Sequence, residues 1–558
     1  SGSDDYHVNS IGNTGYTYIL KEDGTVSSLG YNVNGELGNG AKASTTAVQK
    51  VSNLTEIMQV AGSKNGNFGA AVKEDGTVWT WGANTNGQLG NGTTDSPKLN
   101  AIQVGSSGSN AMRITHGSVT NQDTGIQRVE FNNELITNVL IAENEEFHIF
   151  EDGISLNQSF SLLPDSQEVK AGSVEYTSFN PNIATVGKYT GIVTPVKGIY
   201  GTAIIIAKSD GYSSIIRVSI KPQDTDDVKS VAKPMVATGA SHTIALKYDG
   251  TVWTWGNNTN GQLGNNSTEN SSSPVQVKSA DGNTFLTNII EISAGSGHNM
   301  ALRNDGTVWT WGSNTYGQLG NGSSVNSMLP VQVKSADGNS FLADIVQISA
   351  GYVHSMALKK DGTVLAWGRN DGGQLGNNNT SNKSLPVQVK GGASGSEYLT
   401  DVVQVTAGNW HSMALKANGT VYAWGWGQYG QLGNGYTTNR DDTDYYSYEK
   451  IYSAPVQVLN GAQTSETGYL KEVVQIDAMG GTGRGEKNRF GTSLAVTESK
   501  EVYGWGNSMY GALGVNASIV STPVRVATGI STAVQVAGGS KSGSDDYHVN
   551  SIGNTGYT

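Results

Sequence analysis

The sequence predicts an all-β protein, a propeller of seven small blades with an insertion in its second blade. Three observations lead there. The 558 residues include 74 glycines with abundant Asn, Ser and Thr and few helix-forming runs, the composition of short strands joined by tight turns. One pattern, "DGTVWTWGSNTYGQLGNG" from Asp305, recurs from Asp249, Asp361 and Asn418, so that copies begin 56 or 57 residues apart. A unit of that size buries no core alone and has to stack against copies of itself.

The elements follow in order. Degenerate copies start at Asp23 and Lys500 and a clean one at Asp75, which brings the count to seven. A "PVQV" segment follows the clean copies, and a segment like "VVQVTAGNWHSMALK" precedes them, so each unit holds about four strands. "SMALK" and "TVYAWG" flank "ANG", a hairpin in which Gly419 supplies the positive φ that such turns need. In "TVWTWG" the period of two places Trp79 and Trp81 on one strand face. The matching pairs are Trp253/Trp255, Trp309/Trp311, Leu365/Trp367, Tyr422/Trp424, Tyr503/Trp505 and Ser27/Leu29, all read as core between blades. Blades one and two occupy residues 1–112 and blades three to seven residues 228–558. Between them the short connector of the other blades is replaced by about 130 residues.

The pattern "AGxxH…AL…DGTVxxWGxNxxGQLGxG…P" resembles the regulator of chromosome condensation family of seven-bladed propellers. That resemblance implies a ring fold found in a guanine-nucleotide exchange factor on chromatin, in ubiquitin ligases, in a plant photoreceptor and in bacterial surface proteins. Within the insertion, "SFNPNIATV", "TGIVTPV" and a final alternating strand resemble the second group of bacterial immunoglobulin-like domains, over residues 126–221. The resemblance implies an inserted immunoglobulin-like β-sandwich and an extracellular or cell-surface setting in a bacterium. The photoreceptor's light sensing depends on repeated "GWRHT" segments, and here only "GNWHS" around Trp410 approaches them.

Charge and composition exclude several functions. A formal charge of −12 without a Lys/Arg cluster argues against nucleic acid as partner. No apolar run approaches a membrane span. Without cysteine there is neither disulfide nor thiolate metal site. His242, His298, His354 and His411 recur in four successive blades, but equivalent residues of neighbouring sheets stand roughly 10 Å apart, too far to share an ion. They are read as hydrogen-bonded to backbone at the blade start. "DTDD" at 224–227 and "DDTD" at 441–444 lack the spacing and glycine of a calcium loop. "GGTGRGEKNRFG" at 480–491 lacks the Gly-Lys-Ser/Thr ending of a phosphate loop and reads as an enlarged version of "GNWHS". No enzyme, cofactor or metal is expected.

The first seventeen residues, "SGSDDYHVNSIGNTGYT", return unchanged at 542–558. Read through that join, the last strand of the chain and "YILKEDGTV" make a complete blade start. The expectation is therefore one period of a bacterial surface fibre or tandem array, adhesive or structural. Its partners would be copies of itself joined by strand exchange, with a surface glycan or host protein as further partners. Contacts are expected at Tyr445, Tyr446 and Tyr448 in the long blade-six loop, at Arg484, Lys487 and Arg489, and at Tyr547 and His548. The other reading is a protein-binding regulatory propeller, such as an exchange factor for a small GTPase.

Overall fold

Seven four-stranded antiparallel sheets close into a ring in the computed structural model of the chain. Residues 15–540 are described except 22, 64–65, 74, 106–126, 134–145, 149–153, 156–174, 179–183, 190–191, 196–200, 210–211, 223–231, 233, 393–396, 437–450, 464–467, 483–488, 498, 500, 509–511, 516, 518 and 527–532. The chain is the seven-bladed propeller that the repeats predict. Blade four shows the standard unit, with strands at Ile289–Ala294, His298–Arg303, Val308–Gly312 and Ser327–Gln332 from the axis outward. The first strands of all seven blades neighbour one another around the axis. Gly419 takes the expected positive φ of 76° in its hairpin.

Blade one is made from both ends of the described chain. Gly15–Lys21, Val26–Gly30 and Thr45–Lys50 pair in sequence, and Ala533–Ser540 adds beside Gly15–Lys21 as the fourth, innermost strand. The chain's own strand thus fills the position that strand exchange would have given to a neighbour.

The blades are joined at three radii. Near the axis, each first strand is an edge whose backbone groups point at the next blade, and side chains satisfy them. Gln59 grips the backbone of Val236 from both ends of its amide, at 3.0 and 2.7 Å, and Gln404 does the same to Ile476 at 3.2 and 2.9 Å. At middle radius sit Trp81, Trp255, Trp311, Trp367, Trp424 and Trp505, all fully buried. Their partners on the strand correct the sequence reading: Trp79, Trp253 and Trp309 are only half-buried and lie under Lys73, Lys247 and Arg303. At the outside, the loop between third and fourth strands donates an N–H to the next blade's outer strand, as from Gly92 to the Ser272 carbonyl at 2.9 Å.

The insertion leaves from the outer strand of blade two, Lys98–Gln103, and returns to the first strand of blade three, Met235–Thr238. It contains a five-stranded sheet, including Gly201–Ser209 paired with Tyr212–Pro222, and a three-stranded one. Tyr176, Ala184, Val193 and Ile205 are buried within it.

Candidate protein-binding surface

Alternating strand direction puts two sets of turns on each face of the ring. One face carries the "AGxxH" turns and the "GQLG" loops, and its residues set both the joints between blades and the surface above them. The carbonyl of each "GQLG" glutamine is the hub of a joint. Gln318 O accepts from Trp367 Nε1 of the next blade at 2.9 Å and from Ser355 Oγ at 2.8 Å. Gln88, Gln262, Gln374 and Gln431 accept from Trp255, Trp311, Trp424 and Trp505 in the same way.

The histidines complete these hubs. His298 Nε2 lies 3.0 Å from Ser355 Oγ, His354 Nε2 3.0 Å from Ser412 Oγ, and His411 Nε2 2.9 Å from Ser493 Oγ. Each serine already gives its one hydroxyl proton to a glutamine carbonyl, so the histidine has to donate, which places its proton on Nε2. His242 donates likewise to Asn299 Oδ1 at 2.9 Å. The expected backbone partner is thus corrected to a side chain of the following blade. Burial disfavours the charged imidazole, lowering the pKa of His242 to about 4 and of His411 to about 3. Among the described residues no cluster of three or more His, Asp and Glu could hold a metal.

Beneath the loop surface over the joints of blades four to six, a buried cation is held between aromatic rings, with Arg369 8% and Trp410 2% exposed. Arg369 follows the third strand of blade five, where blades three and four have Asn257 and Ser313. Its guanidinium lies 4.7 Å from the Tyr316 ring of blade four and 4.6 Å from the Trp410 ring of blade six. Asp371 holds it through paired bonds of 2.8 and 2.7 Å, and Tyr352 stands 6.0 Å from Trp410. Asn257 and Ser313 accept from the glutamines beside them, Gln262 and Gln318. Arginine cannot accept, so among the described residues the buried Gln374 Nε2 is left without a partner, as are both amide atoms of the buried Asn409. On the same face Tyr436 is 66 % exposed at the entrance of the long blade-six loop. The buried cluster pins three blades together, and what this face offers another protein is the exposed Tyr436 with the partly exposed Tyr316 and Tyr352. Nothing in the repeat marks the cluster, because it consists of departures from the repeat: Arg369, Tyr316 and Trp410.

Tyr445, Tyr446, Tyr448, Arg484, Lys487, Tyr547 and His548 lie outside the described residues, as do both acidic runs. Arg489 opens the second strand of blade seven and pairs with Thr482. The two strands extend into this segment from both sides, with Gly480 opposite Gly491 and Thr482 opposite Arg489.

Comparison with known proteins follows this geometry. Residues 209–543 match the RCC1-like domain, and residues 75–116 match the regulator of chromosome condensation (RCC1) repeat. These matches leave 117–208 unassigned, so they supply no immunoglobulin-like family for the insertion. The ultraviolet-B receptor UVR8 of Arabidopsis thaliana is 28% identical over 317 residues, covering 52% of this chain and 69% of that protein. Human E3 ubiquitin-protein ligase HERC2 is 29% identical over 304 residues, which cover 54% of this chain and only 5% of HERC2. The structure of Prp20p from Saccharomyces cerevisiae superimposes with a TM-score of 0.54 at 16% identity, covering 97% of this chain and 93% of that one. Prp20p is described by its binding to Gsp1p and histones, and it has also been seen bound by Kap60. Such partners, together with closure of the ring by the chain's own strand, overturn the expectation of copies of itself as partner, and neither a glycan nor a host protein gains support. By the match that spans most of its length, the chain belongs to the RCC1-like domain family.

Proposed function

We propose that the chain is a protein-binding regulatory propeller, whose loop face over blades four to six receives a partner protein. The observation that carries this reading is the face over the buried Arg369 cluster, which ties three blades together beneath the exposed Tyr436 and the partly exposed Tyr316 and Tyr352. The ring beneath it is joined at every radius, so the patch needs no ordering on binding. Relatives named as a receptor, a ubiquitin ligase and a binder of Gsp1p and histones support such a role more than a surface fibre. The insertion is read as an immunoglobulin-like unit branching from the ring, on its sequence resemblance and its two antiparallel sheets.

Exchange activity on a small GTPase is the sharpest form of this function. Its test is release of a fluorescent GDP analogue from a panel of small GTPases, with the chain and with Tyr436→Ala, a change at an exposed side chain. Acceleration that the variant loses supports the exchange reading. Tight binding of a GTPase without acceleration would reduce the reading to a scaffold. A chain that binds none and elutes as a concentration-dependent polymer would overturn it.

A further inference from the structure

The face of the ring opposite the "GQLG" loops carries the "DGTV" hairpins and the connectors from each outer strand to the next blade's first strand. At this face the innermost strands begin with an irregularity. Pairing slips by one residue between Ile57 and Gln59, Ile289 and Glu291, Ile345 and Gln347, Val402 and Gln404, and Val473 and Gln475, so blades two, four, five, six and seven each carry a β-bulge at the same place. The extra residue is apolar every time: Met58, Ile290, Val346, Val403 and Val474. Five apolar residues therefore stand at one level around the connector-face mouth of the channel that a propeller encloses. Left open to water, such a collar would forgo the stability that burial gives.

Two of the five are buried more deeply than the others. Val346 is 7% exposed and Val403 3%, whereas Val474, the same residue type at the same position, is only half-buried, as are Met58 and Ile290. Blade five, which carries Val346, is also where the insertion arrives. The insertion joins the ring between blades two and three on this face, because the outer strand of blade two ends here and the first strand of blade three begins here. Its strand Gly201–Ser209 nevertheless touches Ile345–Ala350, the innermost strand of blade five, on the far side of the axis. That innermost strand is flanked by those of blades four and six and backed by its own second strand. Its axial side and its end at the mouth are what remain, so a strand that comes from blade two and touches it has crossed the mouth.

We infer that the insertion is a plug seated on this apolar collar, with Gly201–Ser209 lying against blade five, and that it closes the mouth of the ring opposite the loop face. Burial of Val346 and Val403 holds the seat. A partner protein then reaches the ring from the loop face or the rim, and the axis is closed to it from the connector face.

The chain has no cysteine, so spin labels can be placed in pairs on its full length without background. One pair joins insertion to ring, at Tyr189→Cys and Tyr398→Cys, and a reference pair lies within the ring, at Phe285→Cys and Tyr398→Cys, all three side chains being exposed. Samples are diluted with unlabelled chain, so that double electron–electron resonance reads distances within one molecule. The expected result is a single insertion-to-ring distance, as narrowly distributed as the reference. A distribution several times broader would overturn the inference, because the insertion would then swing free of the mouth. Val346→Asn should abolish the single insertion-to-ring distance and leave the reference unchanged, whereas Val474→Asn, at a collar position that stays half-buried, should alter neither. A distance that stays narrow in Val346→Asn, or one lost in Val474→Asn instead, would overturn the seat at blade five. If Val346→Asn broadens the reference as well, Val346→Thr, which keeps the shape of the side chain and adds a hydroxyl, decides in its place. The GTPase assay reads the opposite face, so the failure of one reading leaves the other standing.

Discussion

Tyr18 shows how one residue can replace the standard joint. At the position of Ser355, Ser412 and Ser493, blade two has Gly69, which has no hydroxyl to offer the neighbouring hub. Tyr18 of blade one fills the gap: its hydroxyl donates to the Glu36 carbonyl and accepts from Trp81 Nε1 at 2.9 Å, and burial raises its pKa well above the ordinary value. A Cβ at residue 69 would stand 2.5 Å from the Tyr18 hydroxyl and 2.6 Å from Trp81 Cε2. Gly69→Ser, although it restores the residue of three other blades, should therefore destabilise the protein by about 1–3 kcal/mol through overpacking. Blades four to six carry methionine at the Tyr18 position, Met300, Met356 and Met413. The double variant Gly69→Ser with Tyr18→Met rebuilds their joint and should recover most of the loss. Thermal or urea denaturation of the three variants checks this, and additive losses would show that the two sites are not coupled.

The loop between third and fourth strands is organised by the asparagine of "WGxN". Asn314 donates through Nδ2 to Asn321 Oδ1 and to the carbonyls of Ser323 and Val325, and its Oδ1 accepts from Leu319 N at 2.9 Å. Asn32, Asn84, Asn258 and Asn370 repeat the arrangement. Asn314→Ala leaves these buried groups unpaired and should cost about 2–3 kcal/mol. Faster proteolytic cleavage within residues 315–326, at an unchanged rate elsewhere, is the expected signature. Blade six has Gly427 at this position and blade seven Ser508, whose buried hydroxyl has no partner among the described residues. The strands were legible from the period-two alternation and the glycine turns, which act within one blade. The hubs were not: a histidine and its partner are 57 or 58 residues apart in blades three to five, so the repeat shows that both recur without showing that they meet.

At the scale of the whole ring, sequence could not say which copy of the last strand completes blade one. The join of Ala533–Ser540 to Gly15–Lys21 is equally complementary within a chain or between chains, and the nearest partner is in the same molecule. The ring that results has two kinds of joint. Those from blade three through blade seven each rest on a histidine, His242, His298, His354 or His411. Those around blades one and two rest on Thr17, Tyr16 and Tyr18, which keep their protonation in acid. A histidine with a depressed folded pKa contributes its full stability above the unfolded value of about 6.5 and loses it as pH falls toward the folded one. For His242 that window runs from about 6.5 down to about 4, and for His411 down to about 3. The loss reaches about 3 kcal/mol at His242 once pH is below the folded value. Acid should therefore loosen one arc of the ring before the other. Hydrogen exchange at pH 4.5, corrected for intrinsic rate and compared with pH 7, should show protection falling in the strands His242–Leu246 and His411–Lys416. Protection in Phe68–Lys73 and Gly15–Lys21 should persist. Equal loss in both arcs would mean that carboxylates outside the joints govern acid stability, and earlier loss in blades one and two would reverse the assignment. His411→Gln, which stays neutral at every pH, should move the first loss of protection in blade six to lower pH and leave blade three as it was.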